Sequence, residues 1–141
     1  PFSFLHFKSL KQLYPQAKFI VMVRDPRDTA ASYLTMDWGG NDIKSVANWV
    51  KNVYAKWFQE KQQLNENIDY IELKLEDVVG NPELYTRKVA DYLNIDFTDE
   101  MLKLDLSKSN KGRWQKDIND ADKKYLNEML SEVILHYGYK L

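Results

Sequence analysis

The sequence predicts an α/β fold in which helices pack around a small sheet. Three observations lead there. Residues 18–23, with the apolar, β-branched run Phe19-Ile20-Val21-Met22-Val23, read as a strand, and residues 70–75 read as a second. Between and after them lie segments whose apolar residues recur every three or four positions, the helical pattern. Strands and helices therefore alternate along the chain, as they do when parallel strands are joined by helical crossovers.

The elements follow in order. Residues 5–14 read as a short helix with Leu5, Leu10 and Leu13 as its apolar contacts, stopped by Pro15. The strand at 18–23 is apolar on both faces, as expected of a buried parallel strand. Pro26 suits the first turn of the next helix, which runs to about Trp38. Asp25 is its N-cap, and Asp28 stands three residues on, as in a capping box. Gly39-Gly40-Asn41 breaks that helix and Asp42 caps another, from about 43 to 64. Val46, Trp49, Val50, Val53 and Trp57 give it one buried face. Core packing accounts for both tryptophans better than ligand stacking does.

The second strand, 70–75, leads to Asn81. That residue caps a helix opened by Pro82, with Tyr85, Val89, Tyr92 and Leu93 as its buried stripe. Thr98-Asp99-Glu100 starts a short helix through about Leu104. Residues 107–118 are polar, basic and without helical period, and read as a loop. Asn119, with Asp122 three residues later, starts a final helix that Gly138 ends. Its core face is Leu126, Met129, Leu130, Val133 and Ile134. Two strands alone bury this much helix poorly. The reading therefore expects either further short strands or a sheet completed by chain outside this sequence.

Length and composition bound the function. A chain of 141 residues with 44% hydrophobic and 13% aromatic residues suits a single folded domain, 1–141. A net charge of −1 gives no general affinity for polyanions, so no nucleic-acid partner is expected and any anion site must be local. The absence of cysteine excludes disulfides, thiolate metal sites and a Cys nucleophile, and fits a reducing, cytoplasmic setting. No secretory leader and no apolar run long enough to span a bilayer are present in the sequence, so no membrane role is expected. With His6 and His136 as the only histidines, no metal cluster is expected either.

Two segments carry chemistry. Arg24-Asp25-Pro26-Arg27-Asp28, with Ser32 after it, lies where a strand ends and a helix begins. Parallel sheets bind ligands at the carboxyl ends of their strands, and a helix N-terminus favours an anion. Arg24 adds a planar, permanently charged fork that fits a phosphate. Ser32 shares a helix face with Asp28 and Thr29 and could supply a hydroxyl. The plainer reading is an Arg24–Asp28 surface ion pair. The second segment, Ser107 to Lys116, holds four cations, Lys108, Lys111, Arg113 and Lys116, around Gly112 and Trp114. It could form an anion nest, or be a solvated basic loop pinned by Trp114.

Taken together, Leu13-Tyr14-Pro15-Gln16-Ala17-Lys18-Phe19-Ile20, Val23-Arg24-Asp25-Pro26-Arg27-Asp28 and Ser32 resemble the segment of sulfotransferases that binds the 3′-phosphate of PAPS, 3′-phosphoadenylyl sulfate. The resemblance implies that Arg24 and Ser32 hold that phosphate. The loop before the last helix is similar to the family's Lys-Gly-containing, Trp-ended donor loop, implying that Lys111, Gly112 and Arg113 contact the same region. Leu75-Glu76-Asp77-Val78 resembles the family's Tyr-Glu-Asp-Leu segment, with Leu75 where a base-contacting Tyr often stands. Glu76 and Asp77 are expected to cap and brace the sheet edge.

The resemblance covers nearly all of this sequence but about the second, C-terminal half of a P-loop-type sulfotransferase domain. The Gly-rich, Lys-containing loop that holds the 5′-phosphosulfate in that family is absent from the sequence. His6 is the one candidate base by position, and it reads first as a structural residue. The expectation is therefore a PAPS-dependent transferase acting on a hydroxyl or amine of a small-molecule, glycan or peptide acceptor. PAPS and its product PAP (adenosine 3′,5′-bisphosphate) are the nucleotides and no metal is needed. This chain supplies the 3′-phosphate clamp and is inactive alone. A non-catalytic nucleotide- or protein-binding remnant of that fold is the alternative, and a P-loop kinase relative is a third. The donor loop is expected to be mobile until a phosphate arrives, and an incomplete sheet to expose an apolar edge through which chains self-associate.

Overall fold

A computed structural model of the chain describes residues 6–37, 40, 42–103, 105–106 and 109–141. Expectations that fall on Leu5, Trp38, Gly39, Asn41, Leu104, Ser107 and Lys108 lie outside the described residues. The described chain is α/β. It orders as α1 (Phe7–Leu13), β1 (Phe19–Val23), α2 (Pro26–Leu34), α3 (Ile43–Lys61), β2 (Tyr70–Lys74), α4 (Leu75–Gly80), α5 (Pro82–Leu93), a 3-10 turn (Asp99–Leu102), α6 (Trp114–Asp117), α7 (Asp120–Met129) and α8 (Ser131–His136). Two compact units result. One is drawn from Pro1–Val23 and Trp57–Ser109, the other from Arg24–Lys56 and Asn110–Leu141.

In the first unit β1 and β2 pair in parallel, with Phe19 opposite Tyr70 and Val23 opposite Lys74. Side chains alternate across such a sheet, so its two faces have separate covers. Phe7, Trp57 and Tyr70 form a buried aromatic cluster that also takes in Leu10, Phe19 and Val21. The Phe7 ring lies 4.4 Å from Phe19 and 5.2 Å from Trp57. On the other face Ile71 and Leu73 pack with Tyr92, Val89 and Tyr85 of α5. That cover extends over β2 and not over β1. Ile20 and Met22, on the same side, are 44% and 49% exposed. The strand expected to be buried on both faces is therefore buried on one.

Three other expectations are corrected. Phe7, not Leu13, anchors α1; Leu10 follows it by three residues and shares its face, whereas Leu13 falls to the side and is 72% exposed. The second strand stops at Lys74, and Leu75 opens α4 with Glu76 and Asp77 in its first turn, where the helix dipole favours acids. The final helix is two helices. Ser131 Oγ donates to the Glu128 carbonyl at 3.1 Å, a side-chain bond that competes with helical geometry. Leu130 leaves the helix at φ −107°, ψ 10°. Its N–H still donates to Leu126, so the apolar face continues across the break.

That face builds the core of the second unit. Leu126, Leu130, Val133 and Ile134 are buried, as are Ala30 and Ala31 of α2 and Val46, Ala47 and Val50 of α3. The Asp42 cap forms as expected: its Oδ1 accepts the N–H of Lys44 and of Ser45, each at 2.9 Å. The core holds α2 by its alanine face and leaves the first turn of α2 to the site.

Candidate functional site

The site is built in the second unit on the first turn of α2 and on the segment that leads into α6. Asp25 caps α2 through Oδ1, which accepts the Arg27 N–H at 2.9 Å. The same carboxylate takes the Arg27 guanidinium in a two-pronged pair, Nε to Oδ1 at 2.9 Å and Nη2 to Oδ2 at 2.7 Å. Arg27 Nη1 donates to Asn127 Oδ1 of α7 at 2.8 Å. The guanidinium carbon Cζ lies over the Trp114 ring, 4.0 Å from its centre. Arg27 is 3% exposed, so this arrangement belongs to the core.

Asp28 does something the capping-box pattern did not predict. It turns to the other segment. Oδ2 accepts the Gly112 N–H at 2.6 Å and Oδ1 accepts the Trp114 N–H at 3.0 Å. Gly112 lies at φ +74°, a left-handed conformation that glycine adopts without steric cost. The expected unstructured loop thus ends in the helical turn α6. Asp28 and Arg24 do approach, at 3.7 Å, but with Asp28 only 1% exposed this is no surface pair.

Arg24 is held less completely. The Tyr54 hydroxyl donates to its carbonyl at 2.8 Å, fixing the backbone. Its Nη2 donates to the Asn110 carbonyl at 3.2 Å. Its Nε is buried and, among the described residues, has no hydrogen-bond partner. Ser32 stands one helical turn after Asp28, and its hydroxyl makes no hydrogen bond among the described residues. Beside it, Tyr33 lies 4.1 Å from Trp49 between ring centres, and burial pushes the Tyr33 hydroxyl pKa up. Lys111 is exposed. Arg113 Nε donates to Asp117 at 2.5 Å. The second unit thus holds Arg24, Ser32, Lys111, Gly112 and Arg113. His6 belongs to the first unit, exposed at the start of α1 with no side-chain capping bond.

Comparison with known proteins decides the family. The model of a sulfotransferase family matches residues 1–99, more than half of the chain and all of α2. The chain belongs to the sulfotransferase family. Its relatives include the omega-hydroxy-beta-dihydromenaquinone-9 sulfotransferase Stf3 of Mycobacterium tuberculosis, 26% identical over 99% of this chain and 40% of that protein. Protein-tyrosine sulfotransferase A of Caenorhabditis elegans is 28% identical over 72% of this chain and 28% of its own length. Mouse sulfotransferase 6B1 is 28% identical over 70% and 37%. The chain thus spans about 40% of the Stf3 length.

The family match includes Arg24 and Ser32 but stops before Lys111, Gly112 and Arg113, which the Stf3 likeness, over 99% of this chain, includes. Within this family member, sequence reasoning missed the roles of Arg27, Asn127 and Asp28. The partners of Arg27 and Asp28 lie 100 and 84 residues away, and no local pattern signals them. Among the described residues no helix is long and apolar enough to cross a membrane.

Proposed function

We propose that this chain forms the 3′-phosphate clamp of a sulfotransferase whose sulfuryl donor is PAPS. The observation that carries the reading is Arg24 Nε, a buried N–H donor without a partner among the described residues. A buried donor left unmade costs about 1–3 kcal/mol, and an anionic oxygen beside it removes that cost. Asp25, Arg27 and Asp28 are engaged with one another or with backbone, so Arg24 and the Ser32 hydroxyl are the groups of the motif left for a ligand. Lys111 and Arg113 add positive charge, and Gly112 leaves room, since a Cβ there would meet nothing within 4 Å.

These groups fit a phosphate monoester. Bound PAPS would supply the activated sulfuryl group, and this chain's own residues would bind and orient the nucleotide end. Such a clamp distinguishes PAPS from nucleotides lacking a 3′-phosphate. The complete protein would move the sulfuryl group to a hydroxyl or amine of a small molecule, glycan or peptide in the cytoplasm, with no metal. It would need a general base and donors on the transferring group besides this clamp. Holding one end of the donor equally in ground and transition states does not speed the chemical step. The 141-residue chain by itself is therefore a binder without turnover.

The test is calorimetric titration of this chain with PAP, ADP and ATP. PAP should bind most tightly and without magnesium. Equal affinity for PAP and ADP would remove the clamp assignment. Preference for ATP with Mg²⁺ would favour a kinase-like reading.

A further inference from the structure

We infer that Asp28 is a positioning residue that fastens the 110–114 segment to α2 before any ligand arrives, so that the donor meets a clamp already assembled. The inference rests on the proposed function above and deepens it. Asp28 is the most deeply buried carboxylate of the motif, its side chain 1% exposed against 9% for Asp25. Both its oxygens are spent on backbone: Oδ2 accepts Gly112 N–H at 2.6 Å and Oδ1 accepts Trp114 N–H at 3.0 Å. Two charge-assisted bonds from one rigid carboxylate fix both the position and the orientation of a short backbone stretch. A second fastening lies beside it, the Arg27 guanidinium held over the Trp114 ring with Cζ 4.0 Å from the ring centre. Arg24 closes the arrangement through the Asn110 carbonyl at 3.2 Å.

The consequence concerns binding. Lys111 and Arg113 flank the fastened Gly112, so their backbone is set by the same carboxylate that lies 3.7 Å from Arg24. Ordering these residues at the moment of binding would cost affinity; ordering them beforehand avoids that cost. The polar, glycine-containing sequence alone leads to the opposite expectation, a loop that orders on the ligand. Asp28 also places a negative charge 3.7 Å from the Arg24 guanidinium, offsetting part of its charge before a phosphate is present.

The experiment compares wild type with Asp28→Asn, which keeps the shape but leaves one acceptor oxygen for two N–H groups. Hydrogen exchange at Gly112 and Trp114 is followed without ligand, and PAP affinity is measured by calorimetry. We expect slow exchange at both amides in wild type, faster exchange in Asp28→Asn, and PAP affinity weaker by about tenfold. Wild-type PAP affinity in Asp28→Asn, or unaltered exchange at both amides, would overturn the inference. If wild type itself fails to bind PAP, the proposed function falls instead, and the inference with it. Should Asp28→Asn lose its far-UV circular dichroism, Gly112→Ala reads the same coupling from the loop side. Its Cβ meets nothing within 4 Å, so it strains only the φ +74° backbone. Several-fold weaker PAP binding with faster Trp114 exchange is expected, and unchanged binding would contradict the inference.

Discussion

Arg27 shows how much one side chain can fix. Its guanidinium joins the cap residue of α2, a residue of α7 and the Trp114 ring, while Arg27 itself is 3% exposed. Removing one partner of a buried ion pair costs about 3–5 kcal/mol, because the remaining charge loses its counter-charge. Arg27→Ala should therefore lower the urea midpoint sharply, and Arg27→Lys should recover little, since an ammonium cannot bridge both oxygens or stack. Asp69 sets a different, pH-dependent term. The hydrogen bond from Lys11, at 2.7 Å, and the one from the Asn65 N–H hold its carboxyl below the usual range. With the folded pKa lowered, the unfolded state binds more protons near pH 4, so stability rises with pH there. The contribution is complete above the unfolded value of about 4 and is lost as pH falls through the folded one. Urea melts between pH 3 and 7 should show an acid limb that is shallower in Asp69→Asn.

Elements were legible where their signals are local. Asn81 and Asn119 both cap as the sequence predicts, accepting the N–H of Leu84 and of Asp122 at 3.3 and 3.0 Å, because a cap and its partner stand three residues apart. The break at Leu130 was not legible. The apolar pattern runs through it unbroken, and the competing bond from Ser131 depends on a hydroxyl rotamer that no periodicity records. The helical turn at Trp114–Asp117 was hidden for another reason: it is set by Asp28, 86 residues from Trp114. Asn119→Ala should cost about 1 kcal/mol. Leu126→Ala, at a fully buried position, should cost about 2–5 kcal/mol. Equal effects in thermal melts would mean that the α7 face is not the core of its unit.

At the scale of the whole chain, the α/β class was readable from alternation alone, while the half-covered sheet was not. Which face α5 covers depends on Tyr92, Val89 and Tyr85 meeting Ile71 and Leu73 and not β1. The exposed Ile20 and Met22 lie on a strand with one partner among the described residues. Apolar edges of this kind pair with other chains. Sedimentation of the 141-residue chain should show concentration-dependent association that Met22→Lys reduces. A labelled-PAPS assay over phenols, alcohols and amines should find no turnover by this chain alone. On the function proposed above, Arg24 reads a 3′-phosphate. That role is tested most directly by measuring PAP and 5′-AMP affinities, ligands that differ by that phosphate alone, for wild type and Arg24→Ala. A charge-assisted bond is worth about 1.5–3 kcal/mol, roughly tenfold or more in affinity. Wild type should prefer PAP by at least that factor, and Arg24→Ala, with its melting temperature kept, should bind the two nearly alike. The same preference for PAP in both proteins would show that Arg24 does not read that phosphate.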